Sequence, residues 1–297
     1  MAIVKRVCVL IGVLVCCVLA GTGTAFAAPG IPGLPPLPEP IARLFTPPVP
    51  IDKKLTRDFS AMQKSMRRSL PGSVGVAIVP IGSDRAISLG TLKTGRAWST
   101  LKVPVSLAAQ RHSGAGVAAM ENKAIVISDN DAAGKLWGSL GGGVASVQAV
   151  TAVLREGHDA RTRVSSEADN PPSYPGYTMW ALADQARSGA HLPCMAGSET
   201  IIRLMSSVAP NQQWGVARLG RAKGAVTAVK GGWGPATARS PGYLVRQLGI
   251  ITTTRGQFAV ALAAVPRSGK FEDGTKMLNR VGSWLEKYVT TLPVGRC

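Results

Sequence analysis

The strand-like segments of this chain fall into two groups, and a long helical segment separates them. Residues 73–80 and 86–90 are largely apolar runs on either side of a turn that contains Gly and Asp, a pattern typical of a β-hairpin. Three further strand-like runs lie near residues 226–230, 243–254 and 257–265. Residues 98–222, between the two groups, are rich in Ala and Leu at helix-compatible spacing. We therefore predict an α+β fold, in which one antiparallel sheet carries an inserted all-helical part.

Amphipathic helices are predicted before the first strand and after the last one. The first helix lies between Asp52, a good N-cap residue, and Pro71, which stops a helix. Its apolar residues recur at three- and four-residue spacing and are Leu55, Phe59, Met62, Met66 and Leu70. The second helix covers roughly residues 271–289. The predicted antiparallel sheet is thus flanked by helices.

The first 27 residues have the order of a secretory signal peptide. A basic start with Lys5 and Arg6 precedes an apolar run, and Ala25-Phe26-Ala27 is a small-x-small cleavage site. An uncleaved membrane anchor is the alternative, although the apolar run is short for a membrane span. Nine prolines then predict an extended linker. The expected organisation is signal peptide 1–27, Pro-rich linker 28–51, domain 52–290 and C-terminal tail 291–297, in a chain that is secreted or associated with the cell envelope.

Export also decides how the cysteines pair. Cys8, Cys16 and Cys17 would leave with the signal peptide, so that Cys194 and Cys297 remain. In an oxidising compartment, two remaining thiols favour one disulfide between the tail and the domain. Two unpaired thiols are the alternative that the sequence leaves open.

The formal net charge of +18 comes from Lys and Arg residues that are scattered along the chain. No basic run is longer than a pair, and the few aromatic residues are not interleaved with the basic ones. We therefore expect no nucleic-acid binding. For an exported chain, the expected counterparts are anionic cell-wall polymers or lipid headgroups, attracted non-specifically. We expect the chain to be a monomer.

Ser99 and Lys102 form the pattern Ser-x-x-Lys at the start of the first helix after the hairpin. Residues three apart share a helical face, so the lysine amine can reach the serine hydroxyl. Burial and a second nearby cation would lower the pKa of Lys102, which then could act as a base. The pattern alone is weak, since about one is expected by chance in a chain of this length. A capping serine and a surface lysine are the alternative.

Ser128-Asp129-Asn130 supplies a second, rarer pattern. As a functional motif, Ser128 would relay a proton, Asn130 would hold a substrate amide and Asp129 would fix the turn from within. As a purely structural motif, the tripeptide would cap a helix, since Ser, Asp and Asn all suit that task.

Two segments compete for the third pattern, Lys-x-Gly. Lys93-Thr94-Gly95 precedes Ser99 and lies between the hairpin and the Ser99 helix. Lys230-Gly231-Gly232 ends a strand-like run, and two more strands and the last helix follow it. Only the second segment would bring a strand edge, with a cation and a backbone donor, beside Ser99. We therefore assign the pattern to Lys230.

In this order and on these elements, the three motifs resemble those of serine β-lactamases and penicillin-binding proteins, with class A β-lactamases nearest. The resemblance covers roughly residues 52–290. It implies a sheet subdomain flanked by helices, a helical subdomain, and an active site between the two. The gap from Ser99 to Ser128 is shorter than is usual in that family, so the all-helical subdomain is expected to be reduced.

The resemblance also implies a role for each motif residue. Ser99 attacks the carbonyl carbon of a β-lactam or a D-Ala-D-Ala-type, peptidoglycan-derived amide, and Lys102 takes its proton. Ser128 passes a proton to the leaving nitrogen, and Lys230 supports Ser128 and the substrate carboxylate. The remaining substrate-binding residues are Asn130, Gly232 and Trp233, and the backbone N–H groups of Ser99 and Trp233 form the oxyanion hole. No metal or cofactor is expected.

Two positions depart from the family pattern. Gly231 stands where a hydroxyl residue normally helps to bind the substrate carboxylate. Glu167 is the candidate for the glutamate that positions the deacylating water, but its loop is short, and an ordinary surface carboxylate is the preferred interpretation. A penicillin-binding protein with slow deacylation and a non-catalytic wall-binding protein are therefore the alternatives to a β-lactamase. His112, His158 and His191 are isolated in sequence and are interpreted as surface or loop residues.

Overall fold

The computed structural model describes residues 51–219, 224–237 and 242–297. The predicted signal peptide and nearly all of the predicted linker lie outside these residues. The eight α-helices of the described part are α1 Ile51–Met66, α2 Lys102–Ser113, α3 Ala118–Asn122, α4 Asn130–Ser139, α5 Gly143–Glu156, α6 Leu182–His191, α7 Ser198–Met205 and α8 Phe271–Glu286. The strands are β1 Gly72–Pro80, β2 Ile87–Gly90, β3 Thr94–Arg96, β4 Met179–Ala181, β5 Val226–Pro235, β6 Tyr243–Thr253 and β7 Gly256–Pro266.

Five of these strands form one antiparallel sheet in the order β2-β1-β7-β6-β5. The register joins the two predicted strand groups, since Val76 of β1 lies opposite Leu262 of β7. Because β5 is the outermost strand, one of its long edges faces away from the sheet. The predicted antiparallel sheet with an inserted helical part is confirmed.

Each face of the sheet packs against its own set of helices. Alternate strand residues such as Val74, Val76 and Ile78 pack with the apolar faces of α1 and α8. Their neighbours Ala77 and Val79 pack into a second core, which also contains buried residues of α2, α4, α5, α6 and α7. The period of two along the strands explains this division. No helix of the part that the structure describes is long and apolar enough to cross a membrane.

Most predicted element boundaries hold to within a few residues, although Asp52, predicted as the N-cap, lies in the first turn of α1, and β5 is longer than predicted. The strand predicted near residues 226–230 continues to Pro235 and takes in Gly231, Gly232 and Gly234. Glycines weaken a strand signal, because they add no side chain to pack. Here the strand persists because its whole length pairs with β6.

A small second sheet, β3 with β4, is held to the main sheet by a buried arginine. Arg246 on β6 is completely buried, and it donates hydrogen bonds to the carbonyl oxygens of Gly95 at 2.8 Å and Arg96 at 3.0 Å. Burial lowers the pKa of Arg246 to about 9. This contact fixes β3, and with it the turn that carries Ser99, beside the main sheet.

The structure also pairs Cys194 with Cys297, with Cα atoms 5.2 Å apart. The predicted disulfide is therefore confirmed, and the free-thiol alternative is wrong. The bond joins the short 3₁₀ turn after α6 to the C-terminal tail.

Candidate active site

A cavity of about 560 Å³ opens beside the start of α2 and the outer strand β5. Ser99, Lys102, Ser128, Asn130 and Trp233, all predicted site residues, contribute to its wall. The two other predicted residues, Lys230 and Gly232, contact residues of this wall. Lys230 donates a hydrogen bond to the Ser128 side chain, and Gly232 approaches the backbone of Ser99. The structure thus brings together residues that are up to 134 positions apart in the chain.

Ser99 lies on a 3₁₀ turn, Trp98–Leu101, that leads into α2. The α-helix predicted to begin at Ser99 therefore begins at Lys102 instead. Residues i and i+3 lie on one side of a 3₁₀ turn, and both Ser99 and Lys102 border the cavity. Trp98, just before Ser99, has a φ of 47°, a left-handed conformation that is costly for a bulky residue.

Lys102 is buried, and its amine contacts the Ser128-Asn130 turn. The Nζ donates hydrogen bonds to the backbone oxygen of Ser128 at 2.6 Å and to Oδ1 of Asn130 at 2.8 Å, and lies 3.4 Å from the Ser128 hydroxyl. Within the described residues none of its hydrogen bonds goes to Ser99. Burial lowers the pKa of Lys102 to about 8, although the charge of nearby Asp129 opposes this shift. A substantial fraction of the amine is therefore neutral near pH 8.

Lys230 is completely buried and contacts the same hydroxyl from the other side. Its Nζ donates hydrogen bonds to Oγ of Ser128 at 2.8 Å, to Oε1 of Gln212 at 2.8 Å and to the carbonyl oxygen of Gly231 at 3.0 Å. Burial, and then the charge of Lys102, hold the pKa of Lys230 well below its ordinary value. The hydroxyl of Ser128 thus lies between two amines whose lowered pKa favours their neutral form.

The turn at Ser128 has the capping role that the structural interpretation of the Ser-Asp-Asn motif predicts. Ser128 adopts a left-handed conformation with a φ of 62°, at the end of the π-helix Lys123–Ile127. Asp129 caps α4, because its Oδ1 accepts a hydrogen bond from the backbone N–H of Ala132 at 2.6 Å. The cap holds the turn in the conformation that presents Ser128 and Asn130 to the two lysines.

Two glycines let β5 approach its neighbours closely. A Cβ atom at Gly232 would lie 3.0 Å from the backbone nitrogen of Ser99. A Cβ atom at Gly231 would lie 2.8 Å from the indole ring of Trp214. The family has a hydroxyl residue at this position. Here the ring of Trp214 leaves room only for glycine.

Glu167 borders the cavity but is directed toward α5. Its Oε1 accepts hydrogen bonds from the backbone N–H of Gly143 at 2.6 Å and from the indole N–H of Trp137 at 3.1 Å. These donors, and above all its own backbone N–H, lower the pKa of Glu167. The carboxylate is exposed, and among the described residues it makes no hydrogen bond to Lys102. Glu167 therefore caps α5, and its carboxylate is not directed toward the amine of Lys102.

Aromatic residues that the sequence did not single out form much of the cavity wall. They are Trp98, Trp137, Tyr174 and Tyr177. Trp98 and Tyr177 pack edge to face with ring centroids 5.3 Å apart, and Tyr174 meets Tyr177 at 5.7 Å. Gly234 makes room for this group, because a Cβ atom there would lie 2.3 Å from the Trp98 ring. The wall can therefore accept an apolar or aromatic group.

The two remaining groups of candidate residues lie outside this cavity. Lys93 donates its hydrogen bond to the carbonyl oxygen of Ser88 and is not part of the wall, whereas Lys230 contacts Ser128 of the wall. His158 and His191, which are far apart in sequence, come together in the structure. Their rings stack with centroids 3.8 Å apart, because the ends of two helices meet there.

No family model matches this chain, and no curated protein matches it in sequence. Its structure, however, is similar to those of β-lactamases. A β-lactamase from Burkholderia vietnamiensis has 20% identity and a TM-score of 0.61, with 79% of this chain and 97% of that chain covered. A β-lactamase from Sphaerobacter thermophilus has 18% identity and a TM-score of 0.60, with 80% and 99% covered.

PBP-A, solved as an acyl-enzyme complex with penicillin G, is similar to the same degree. It has 18% identity and a TM-score of 0.60, with 80% of this chain and 98% of that chain covered. The chain therefore has the fold of the serine β-lactamase and penicillin-binding family, as its three motifs predict.

Proposed function

We propose that this chain is a serine hydrolase that forms an acyl-enzyme on Ser99 with β-lactams or related D-Ala-D-Ala-type amides. One observation carries the proposal. The amines of Lys102 and Lys230 meet at the hydroxyl of Ser128, at 3.4 and 2.8 Å, in a cavity whose wall includes Ser99. Two buried amines with lowered pKa that meet at one hydroxyl are the arrangement that a proton-transfer network needs.

Acylation would use this network in two proton transfers. Ser99 Oγ attacks the carbonyl carbon of the substrate while its proton passes to the neutral amine of Lys102. When the carbon–nitrogen bond breaks, Ser128 gives its proton to the leaving nitrogen and regains one from the adjacent ammonium group. The N–H groups of Ser99 and Trp233 would stabilise the negative oxygen that develops.

A second candidate function is a penicillin-binding protein that acylates readily and deacylates slowly. Its support is the position of Glu167, whose carboxylate caps α5 and makes no hydrogen bond to Lys102 among the described residues. Without a well-placed base, the activated water needed for release is lacking. A long-lived acyl-enzyme would favour this candidate, and rapid turnover would favour a β-lactamase.

Intact-protein mass spectrometry after exposure to a penicillin tests the proposal. Opening of the β-lactam ring releases no leaving group, so the protein should gain the full mass of the antibiotic. Ser99→Ala should abolish the gain, and Ser113→Ala, at the exposed end of α2, should keep it. Labelling that persists at another serine in Ser99→Ala would refute the assignment of the nucleophile.

The cellular setting is also a proposal. We propose that residues 1–27 direct export and that residues 28–51 tether a monomeric domain over 52–290. The net charge of +18, which falls to +16 when Lys5 and Arg6 leave with residues 1–27, supports attraction of the exported chain to anionic cell-wall polymers. Detection of the intact, unprocessed chain in the cytoplasm alone would contradict this setting.

A further inference from the structure

Asp84, His158 and His191 converge at one corner of the molecule, away from the cavity. Oδ1 of Asp84 lies 2.9 Å from Nδ1 of His158 and 2.9 Å from Nε2 of His191. The three potential donor atoms all lie within 4.8 Å of one another. Two ligands of one tetrahedral Zn²⁺ lie about 3.3 Å apart, given bonds of about 2.0 Å. The three atoms are therefore close enough to bind one ion once the two stacked rings rotate so that their nitrogen atoms face it.

We propose that these three residues bind one divalent transition-metal ion, with Zn²⁺ as the best fit. Imidazole nitrogens favour zinc and its neighbours, whereas Mg²⁺ and Ca²⁺ prefer sites made of oxygen ligands. The carboxylate of Asp84 supplies a negatively charged oxygen, which zinc also binds.

The backbone around the site is held in place without the metal. Asp84 lies in the turn between β1 and β2, and Gly82 in the same turn donates its N–H to the carbonyl oxygen of Ala190 at 3.0 Å, next to His191. His158 has a φ of 57° just after α5, and its N–H bonds to the carbonyl oxygen of Arg155 at 3.0 Å. Three segments of fixed position thus supply the three ligands.

The neighbouring cations are already engaged elsewhere. Arg187 pairs with Asp184 at 2.7 Å, and its Nε donates to the backbone oxygen of Asp84, not to the carboxylate. Arg85 pairs with Asp52 at 2.7 Å. Among the described residues, the carboxylate of Asp84 therefore contacts the two histidines and no arginine, and its side chain is 61% exposed.

The site is distant from the proposed catalytic residues. Helix α5 runs from Gly143, which contacts Glu167 beside the cavity, to its end next to His158. Its 14 residues span about 21 Å. A metal here would not touch a substrate in the cavity. Its role would be structural, since it would join the β1–β2 turn to the ends of α5 and α6.

Isothermal titration of the untagged, full-length chain with Zn²⁺ tests the site, after iodoacetamide has blocked free thiols. We expect one ion per chain and a melting temperature that rises with Zn²⁺ concentration, because the ion would bind the folded form. Binding should weaken at acidic pH, since the histidines must be neutral. Absence of saturable binding, or no Zn²⁺-dependent rise in melting temperature, would overturn the proposal and leave the serine hydrolase proposal untouched.

Substitutions of the two histidines, compared with a control histidine outside the site, test where the ion binds. His158→Asn retains a residue that tolerates the left-handed conformation, and His191→Gln preserves a polar helix end. Each should weaken Zn²⁺ binding by about tenfold or more, and circular dichroism in EDTA should show the parent fold. His112→Gln, at the exposed third histidine on α2, should bind as the parent does. Unchanged affinity in both cluster variants would overturn the assignment of these ligands.

Discussion

At the scale of single residues, the most consequential feature is the burial of two amines around one hydroxyl. Burial brings the pKa of Lys102 down to about 8, from 10.5. Only the neutral amine can accept the proton of Ser99, and its fraction grows as the pH rises through the pKa. The chain would therefore acylate slowly in acid and faster in mild base.

We expect the rate of penicillin acylation to rise about tenfold per pH unit below pH 7 and to level off above pH 8. The rate would be measured by stopped-flow or quenched mass spectrometry across this range. Lys102→Arg is the control, because an arginine does not lose its proton in this range, and it should acylate very slowly at every pH. A rate in the parent that is independent of pH would exclude Lys102 as the base.

Gly231 allows a second prediction for one residue. A side chain at this position would meet the ring of Trp214, so Gly231→Ser should lower the free energy of unfolding by about 1–3 kcal/mol. Trp214→Leu removes the ring and should make the added serine less costly in the double variant. Chemical denaturation of the four proteins in this cycle gives the coupling energy. Additive effects would mean that Trp214 does not exclude the hydroxyl.

At the scale of elements, Glu167 is better explained by α5 than by catalysis. Its carboxylate accepts the backbone N–H of Gly143, where the partial positive charge of the helix is concentrated. Glu167→Gln should therefore lower stability by about 0.5–1 kcal/mol and leave the release of the acyl group nearly unchanged. Thermal melting and the decay of the penicillin adduct measure the two effects. Rapid turnover in the parent, with a trapped adduct in the variant, would instead identify Glu167 as the deacylating base.

The elements themselves were largely predictable, because their signals are local. The period of Leu55, Phe59 and Met62 is enough to identify α1, and the hairpin follows from its turn. The site residues with sequence motifs, such as Ser99 and Ser128, could also be found. Gln212 could not, because a lone glutamine in a 3₁₀ turn carries no pattern that links it to Lys230. The meeting of His158 and His191 depends on how helix ends pack, which residue spacing does not encode.

At the scale of the whole molecule, the disulfide joins two residues that are far apart in the chain. It closes a loop with a sequence separation of 103 residues, which contains α7, α8 and strands β5 to β7. Replacing both cysteines by serine should lower the free energy of unfolding by about 2–4 kcal/mol, the typical effect of a disulfide, against an upper value of about 4.7 kcal/mol from the chain-entropy model for a loop of this length. Denaturation of the oxidised parent and of the double Cys→Ser variant provides the comparison. Equal stability of the two proteins would show that the link constrains the unfolded chain very little.

The same link changes how the molecule would respond to mechanical force. A pull on the chain at Cys297 is transmitted through the sulfur atoms to Cys194, and the three C-terminal strands of the sheet carry no tension along their backbone. In an optical trap, the disulfide would keep the loop from extending. The loop has a contour length of roughly 360 Å, at about 3.5 Å for each of its residues. A reducing agent would release that length as a separate extension step. The β5 edge of the sheet, which borders the cavity, lies inside this loop and would be shielded from direct load, whereas the turn that carries Ser99 lies outside the loop.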